Sequence, residues 1–178
     1  YSLLDTERAL QGVDVLVYLV HSMMPSARLT QARFEDLDLI CADNIARAAE
    51  ACGVKRIVYL GGLMPEGEAG DDLSRHLASR REVEAALGAR AVPVTTLRAG
   101  IVVGPGGSSF RMLVRLVERL PAMVCPGWTR SRTQPVALVD VVRLLRHVVF
   151  DETTAGETFD IGCPEVMTYA ELMKRMAT

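Results

Sequence analysis

Val13-Asp14-Val15-Leu16-Val17-Tyr18-Leu19-Val20 is a β-branched and almost wholly apolar run. It is too apolar for a half-solvated strand and too short to mark a helix, so it predicts a strand covered on both faces. Two further runs repeat the pattern: Val54-Lys55-Arg56-Ile57-Val58-Tyr59-Leu60, ending at Gly61-Gly62, and Val92-Pro93-Val94-Thr95-Thr96-Leu97-Arg98, ending at Ala99-Gly100. Between the first two, Leu37, Ile40, Cys41, Asn44, Ile45 and Ala48 recur at helical spacing within 34–51, and Gly53 closes that helix. Leu77, Val83 and Leu87 predict a second helix over 73–87, with Gly88 as its stop.

Strands alternating with helices of this length predict parallel pairing through right-handed crossovers, an α/β doubly wound architecture. Ligands of open parallel sheets sit beyond the carboxyl ends of the strands, so residues 19–22, 61–64 and 99–104 are expected to line one crevice. Downstream, a Ser N-cap at Ser108 or Ser109 opens a helix with Phe110, Leu113, Val114 and Val117 on one face, and Pro121 ends it after Leu120. Residues 128–134 read as a polar, arginine-bearing loop, 139–150 as a helix and 158–162 as a short strand. A last helix begins at a Thr168 cap, with Leu172, Met173 and Met176 as its apolar positions.

The chain has 178 residues, 49% hydrophobic and 24% charged. That excludes intrinsic disorder and predicts a single domain over 1–178. The net charge of −2 supplies no broad positive field, so nucleic acid is not an expected partner. No apolar run reaches the roughly 20 residues that span a bilayer, so no membrane insertion is expected. Cys41, Cys52, Cys125 and Cys163 are dispersed without C-x-x-C or zinc-ligand spacing. Neither a metal site nor a disulfide framework is signalled, and a reducing cytoplasm fits. The chain opens at Tyr1 with no initiator Met and no signal segment, and its start reads as a cut.

Several short motifs occur in a fixed order: Gly-Val-Asp-Val at 12–15, Gly-Val-Lys-Arg-Ile-Val-Tyr at 53–59, Leu-Arg-Ala-Gly-Ile-Val-Val-Gly-Pro-Gly at 97–106, Gln-Pro-Val at 134–136, Val-Asp-Val at 139–141 and Phe-Asp-Ile-Gly at 159–162. With this series the chain resembles the short-chain dehydrogenase/reductase superfamily, in its extended and atypical branches of NAD(P)H-binding, epimerase- and dehydratase-like proteins. The resemblance implies a Rossmann-type doubly wound parallel sheet and a cofactor, NAD or NADP. It also implies that this is the distal part of the fold. The family's opening strand and glycine-rich pyrophosphate turn have no counterpart here, which corresponds to two βα units, on the order of 60–70 residues at about 30 per unit.

The family's proton relay is Tyr-x-x-x-Lys, in which an ammonium lowers the phenol pKa. Here the aligned stretch puts His76 at the Tyr position and Arg80 at the Lys position, one helical turn apart and able to face one crevice. His76 is the candidate catalytic residue, set against an ordinary solvated helix histidine. Arg80 is the candidate binder of ribose hydroxyls or phosphate. Gly61 or Gly62 replaces the family's serine, and Asp38 aligns with an Asn that supports the Lys.

The resemblance further implies cofactor contacts from Leu19, Val20, His21, Gly61 and Gly62, and nicotinamide contacts from Ala99, Gly100, Ile101 and Val102. Trp128, Arg130 and Arg132 fall where extended members bind the distal substrate group, and two guanidiniums beside an indole suit an anion or a base. A tight glycine turn at 61–62 and a solvated arginine loop at 130–132 are the plainer alternatives. Gly104-Pro105-Gly106-Gly107 lacks the third glycine of a phosphate fingerprint and reads as a turn feeding a helix. Asp140 is expected to cap or anchor the helix that follows it. Met23, Met24 and Met112 read as core fillers, and Arg111, Arg115 and Arg119 as a solvated face.

The function expected of the complete protein is an oxidoreductase or nucleotide-sugar epimerase-like enzyme acting on a small-molecule substrate, with an oligomer left open. The rival is a dinucleotide-sensing regulator or assembly subunit that has lost the Tyr-Lys pair.

Overall fold

The structure is a computed structural model describing residues 2–21, 34–65, 74–119 and 127–177. Ser22, Met23, Met24, Leu73, Leu120, Pro121 and Cys125 lie outside the described residues. The chain runs α1 (Leu3–Leu10), β1 (Val15–Tyr18), α2 (Phe34–Ala51), β2 (Arg56–Gly62), α3 (Arg75–Leu87) and β3 (Val94–Ala99). It continues through β4 (Val102–Val103), α4 (Ser108–Arg119), β5 (Arg132–Thr133), β6 (Val136–Ala137), α5 (Leu138–Phe150), β7 (Thr158–Ile161), β8 (Met167–Thr168) and α6 (Tyr169–Met176). The residues divide into two compact units, Tyr1–Arg98 with Leu145–Phe159, and Ala99–Leu144 with Asp160–Thr178.

The first unit is built on the parallel sheet β1-β2-β3-β7. Val15 to Tyr18 lie opposite Arg56 to Tyr59 in register. Helix α2 packs between α1 and α3, and α3 packs on β2. Fully enclosed alanines at 42, 46, 48 and 49 give α2 a flat side, so its backbone can approach the sheet and its neighbours closely. Val54, Ile57, Tyr59, Val83 and Leu87 complete the core beneath it.

The two apolar runs differ in their surroundings. β2 is enclosed from Arg56 to Tyr59, as its sequence predicts for a central strand. β1 departs from the expectation of two covered faces: Tyr18 is 2% exposed but Val17 is 39% exposed. β1 ends the sheet order, and Leu16 and Tyr18 alone join the core, so the opposite face is left open. Leu19 and Val20 lie past the strand end and are exposed.

In the second unit β4 pairs parallel with β6, and β5 pairs antiparallel with β8. Helix α6 packs on α4 and on the 3-10 turn Gly127–Arg130. Ile101, Leu113, Met167, Leu172 and Met173 form the core there. α6 begins as its sequence predicts: Thr168 Oγ1 accepts from the Glu171 amide, and the Glu171 carboxylate accepts from the Thr168 amide, a complete capping box.

Three local expectations are corrected here. Helix α4 starts at Ser108, one of the two positions expected, after a turn through Gly106 (φ +83°), but not behind a serine cap. Gly107, not a serine, precedes the helix and accepts from the Arg111 amide. The stretch at 128–134 is not an open loop: Gly127–Arg130 is helical, Arg132–Thr133 is a strand, and the Tyr169 amide donates to the Ser131 carbonyl. Asp140 lies inside the first turn of α5 rather than at its cap, since β6 runs straight into the helix; it pairs with Arg143 at 3.1 Å.

Candidate functional site

In the first unit, the carboxyl ends of β1 and β2 meet the first turns of α3 and the flank of α2. The parallel register sets Tyr18 opposite Tyr59, and their rings lie 6.0 Å apart at 51°. The Tyr59 hydroxyl donates to the Arg80 carbonyl at 3.3 Å, pinning α3 to the sheet. Ser74 starts α3 by accepting from the Leu77 amide, which places His76 in the first turn. Arg80 follows one turn later.

These two residues differ in exposure. His76 is exposed, whereas Arg80 is only 6% exposed, so the two side chains do not share an open surface. The reason is Gly62. A Cβ there would stand 2.9 Å from Leu77 Cδ2 and 3.7 Å from Arg80 Cγ, so the bare backbone lets both side chains close over the end of β2. Gly62 is thus a floor for α3.

Asp38, on α2, is 2% exposed and acts electrostatically on Tyr18, Tyr59, Cys41 and His76. Burial pushes the Tyr18 phenol well up, with Cys41, Asp38 and Tyr59 adding to it and Arg80 opposing. Burial likewise raises Tyr59, against a hydrogen bond from the Arg80 side chain and the Arg80 charge, and raises the Cys41 thiol. For His76 the direction reverses. Partial loss of water around the ring lowers its pKa, the Arg80 and His21 charges lower it further, and Asp38 pulls the other way. Among the described residues, the enclosed Tyr18 hydroxyl has no hydrogen-bond partner.

Leu19, Val20 and His21 are exposed beyond β1, Gly61 is buried, and His21 lies close enough to His76 for their charges to interact. In the second unit, Ala99 and Ile101 are buried and Gly100 and Val102 are partly so. A Cβ on Gly100 would meet the Gln134 carbonyl at 2.6 Å, so the glycine is required by chain packing within this unit. Trp128 is 43% exposed and edge-on to Tyr169 at 5.7 Å; Arg130 and Arg132 are exposed. A groove of about 500 Å³ runs between Gly104–Gly106 and the Phe110, Val114 and Arg115 side of α4. No three His, Cys, Asp or Glu residues cluster for a metal among the described residues.

Sequence reasoning missed Tyr18 and Tyr59 as parts of this site, because a tyrosine inside an apolar strand reads as core. The signal available was their equal distance from the strand starts, which parallel register converts into a facing pair.

No protein-family model matches the chain. It is 24% identical over 169 residues to the mitochondrial NADH-ubiquinone oxidoreductase 40 kDa subunit of Neurospora crassa, covering 93% of this chain and 42% of that protein. A double mutant of DesIV, a dTDP-glucose 4,6-dehydratase from Streptomyces venezuelae with NAD bound, superposes with a TM-score of 0.75 at 18% identity, over 98% of this chain and 60% of that one. The Citrobacter sp. triphenylmethane reductase complexed with NADP(H) gives 0.69 at 18% identity, over 96% and 54%. The chain therefore spans roughly half of the length of these proteins. Its parallel strand order and these superpositions make it a Rossmann-type α/β chain, with the fold of the NAD-binding dehydratases and NADP(H)-binding reductases.

Proposed function

We propose that the chain is part of an NAD(P)(H)-dependent oxidoreductase or nucleotide-sugar epimerase-like enzyme. The observation that carries this reading is that the exposed His21, just past β1, and the exposed His76, in the first turn of α3, lie near enough to interact electrostatically, with the buried Arg80 one turn further along α3. Exposed Leu19 and Val20 offer an apolar wall there, and the two imidazoles offer polar atoms. That set fits the nicotinamide end of a dinucleotide, whose ring, when bound, exchanges a hydride. No G-x-G-x-x-G turn occurs in the sequence, so dinucleotide affinity of this chain alone is expected to be low.

Ala99, Gly100, Ile101 and Val102 carry the expected nicotinamide contacts in the second unit. Burial of Ala99 and Ile101 favours contact through backbone rather than side-chain atoms. Trp128, Arg130 and Arg132 are open to an anionic group of a small-molecule substrate. The free thiols of Cys41, Cys52 and Cys163 support a reducing, cytoplasmic setting. Among the described residues, no helix is long and apolar enough to cross a membrane.

Calorimetric titration of the complete protein with NADH and NADPH tests the reading, and binding of neither overturns it. Nicotinamide absorbance across a panel of carbonyl compounds and sugar nucleotides then tests turnover, and activity insensitive to His76→Ala removes His76 from the chemistry. The missing Tyr-x-x-x-Lys and the likeness to a subunit of NADH-ubiquinone oxidoreductase favour a second reading, a dinucleotide-sensing regulator or assembly subunit. Tight dinucleotide binding without turnover across that panel is its signature.

A further inference from the structure

Helix α4 carries two apolar flanks. Leu113, Leu116 and Val117 turn to the core of the second unit. Phe110 and Val114, half-buried and one turn apart, line the groove of about 500 Å³ that runs beside the Gly104–Gly106 turn. A helix that only covered a core would need a single apolar stripe. The other wall of the groove is largely bare main chain. The Gly107 amide donates to the Gly104 carbonyl at 3.4 Å and Gly106 takes a φ of +83°, so the chain folds back tightly before it enters α4. Around the Cβ position of Gly106 there is nothing within 4 Å, which leaves room for a flat group to lie against the turn.

Charge on the groove is one-sided. Arg111 and Arg115 line it, exposed and one turn apart, and neither joins an ion pair among the described residues. Two cations at this spacing repel, so the helix gains no stability from keeping both. Glu118 lines the groove one turn past Arg115 and offsets only part of that charge. A guanidinium presents a planar fork of donors that a carboxylate or phosphate can fill with two hydrogen bonds. The volume lies within the range of small-molecule sites, about 300–1,000 Å³. From Phe110 to Glu118 the helix advances roughly 12 Å at about 1.5 Å per residue, which is short for a bound peptide segment.

We propose that this groove binds a small amphipathic anion: its apolar body rests on Phe110 and Val114 against the glycine turn, and its carboxylate or phosphate is held by Arg111 and Arg115. None of the residues assigned above to cofactor or substrate lines it. The site therefore goes beyond the dinucleotide reading and stands or falls without it.

The test is a fluorescence titration of the full chain with anilinonaphthalene sulfonate, an aromatic body bearing one anionic group. Saturable binding is expected, displaced by decanoate or by decyl phosphate, and the stronger competitor identifies the head group. The doubly substituted Arg111→Gln, Arg115→Gln chain should bind about tenfold more weakly, a change of about 1.4 kcal/mol. Val114→Glu, which places a carboxylate on the apolar floor, should weaken binding as well. Arg146→Gln removes an exposed arginine of α5 and should leave the affinity unchanged. Circular dichroism confirms that these chains, altered at exposed or half-buried positions, keep their fold. Absence of saturable binding, or displacement by neither competitor, overturns the proposal. So does an affinity unmoved by the double arginine change, or one that Arg146→Gln lowers equally. A dimer in sedimentation that Val114→Glu separates would give the groove to a second copy of the chain and overturn it too.

Discussion

Arg56 Nη2 donates to the Val149 carbonyl at 2.6 Å, at the last turn of α5. Its Nη1 donates to the Asp151 carbonyl at 2.7 Å, just past the helix. The first residue of the central strand thus caps the carboxyl end of a helix more than ninety positions away in sequence, and it does so while only 4% exposed. A cation suits that end of a helix because unpaired carbonyls gather there. Arg56→Met would take the guanidinium donor from the Val149 carbonyl and leave the Asp151 carbonyl to Thr154 alone, and a loss on the order of 2 kcal/mol is expected in urea denaturation. Arg56→Lys should recover only part, since an ammonium lacks the fork that reaches two carbonyls. Unchanged stability in Arg56→Met would refute this role.

Gly62 and Gly100 make different demands. At Gly62 an added methyl meets the far end of the Leu77 side chain at 2.9 Å, and a side chain can turn aside. At Gly100 it meets the Gln134 backbone carbonyl at 2.6 Å, and that carbonyl has no rotamer to change. Gly62→Ala should therefore cost about 1 kcal/mol and be partly relieved by a smaller residue at 77. Gly100→Ala should cost about 2–3 kcal/mol. Thermal melts of the two variants check the order, and equal losses would contradict it.

Trp128 is the sole tryptophan, and its edge-on contact with Tyr169 ties the 3-10 turn to α6. Tyr169→Ala should cost about 1 kcal/mol and shift the indole emission to the red as water replaces the ring. Fluorescence of Trp128 then reports directly on ligands that reach Arg130 and Arg132. An emission maximum unaffected by Tyr169→Ala would show that the contact does not shield the indole.

Acid should loosen α6. The Arg175 hydrogen bonds hold the Glu165 carboxyl below its usual range, and the Thr168 amide and hydroxyl hold Glu171 below it. Both groups have a folded pKa beneath the unfolded one, so their stabilisation is present above about pH 4.3 and is lost as pH falls through the folded values. Amide exchange in α6 should quicken over that window. Thr168→Ala removes the hydroxyl's part of the Glu171 share and leaves the amide's, and as a lost N-cap it costs about 1 kcal/mol at neutral pH. Exchange in α6 that does not respond to pH in this window would exclude the mechanism.

Much of the fold is legible in local pattern. The six periodic positions within 34–51 mark a helix whose ends match the structure, because Gly53 takes the positive φ (+70°) that stops it. Thr168 and Glu171 spell out a capping box three residues apart. The expected Rossmann-type parallel order is borne out. The site is less legible. Helix α3 buries Ser79 and Arg80 beside Val83 and Leu87, so its inner face carries no clean apolar stripe, and the sequence offers Arg80 to solvent or ligand.

The chain's own pattern therefore determined which segments are strands, which are helices and in what order they come, since hydrophobic period and glycine punctuation are properties of neighbouring residues. Tertiary structure alone decided that β1 is open on one face, that Tyr18 meets Tyr59, and that Gly62 seats Arg80 one turn from His76. Enclosure depends on how far a strand end advances beneath a helix distant in sequence. No local periodicity encodes that distance, and it is this distance that turns an ordinary surface arginine into a buried charge.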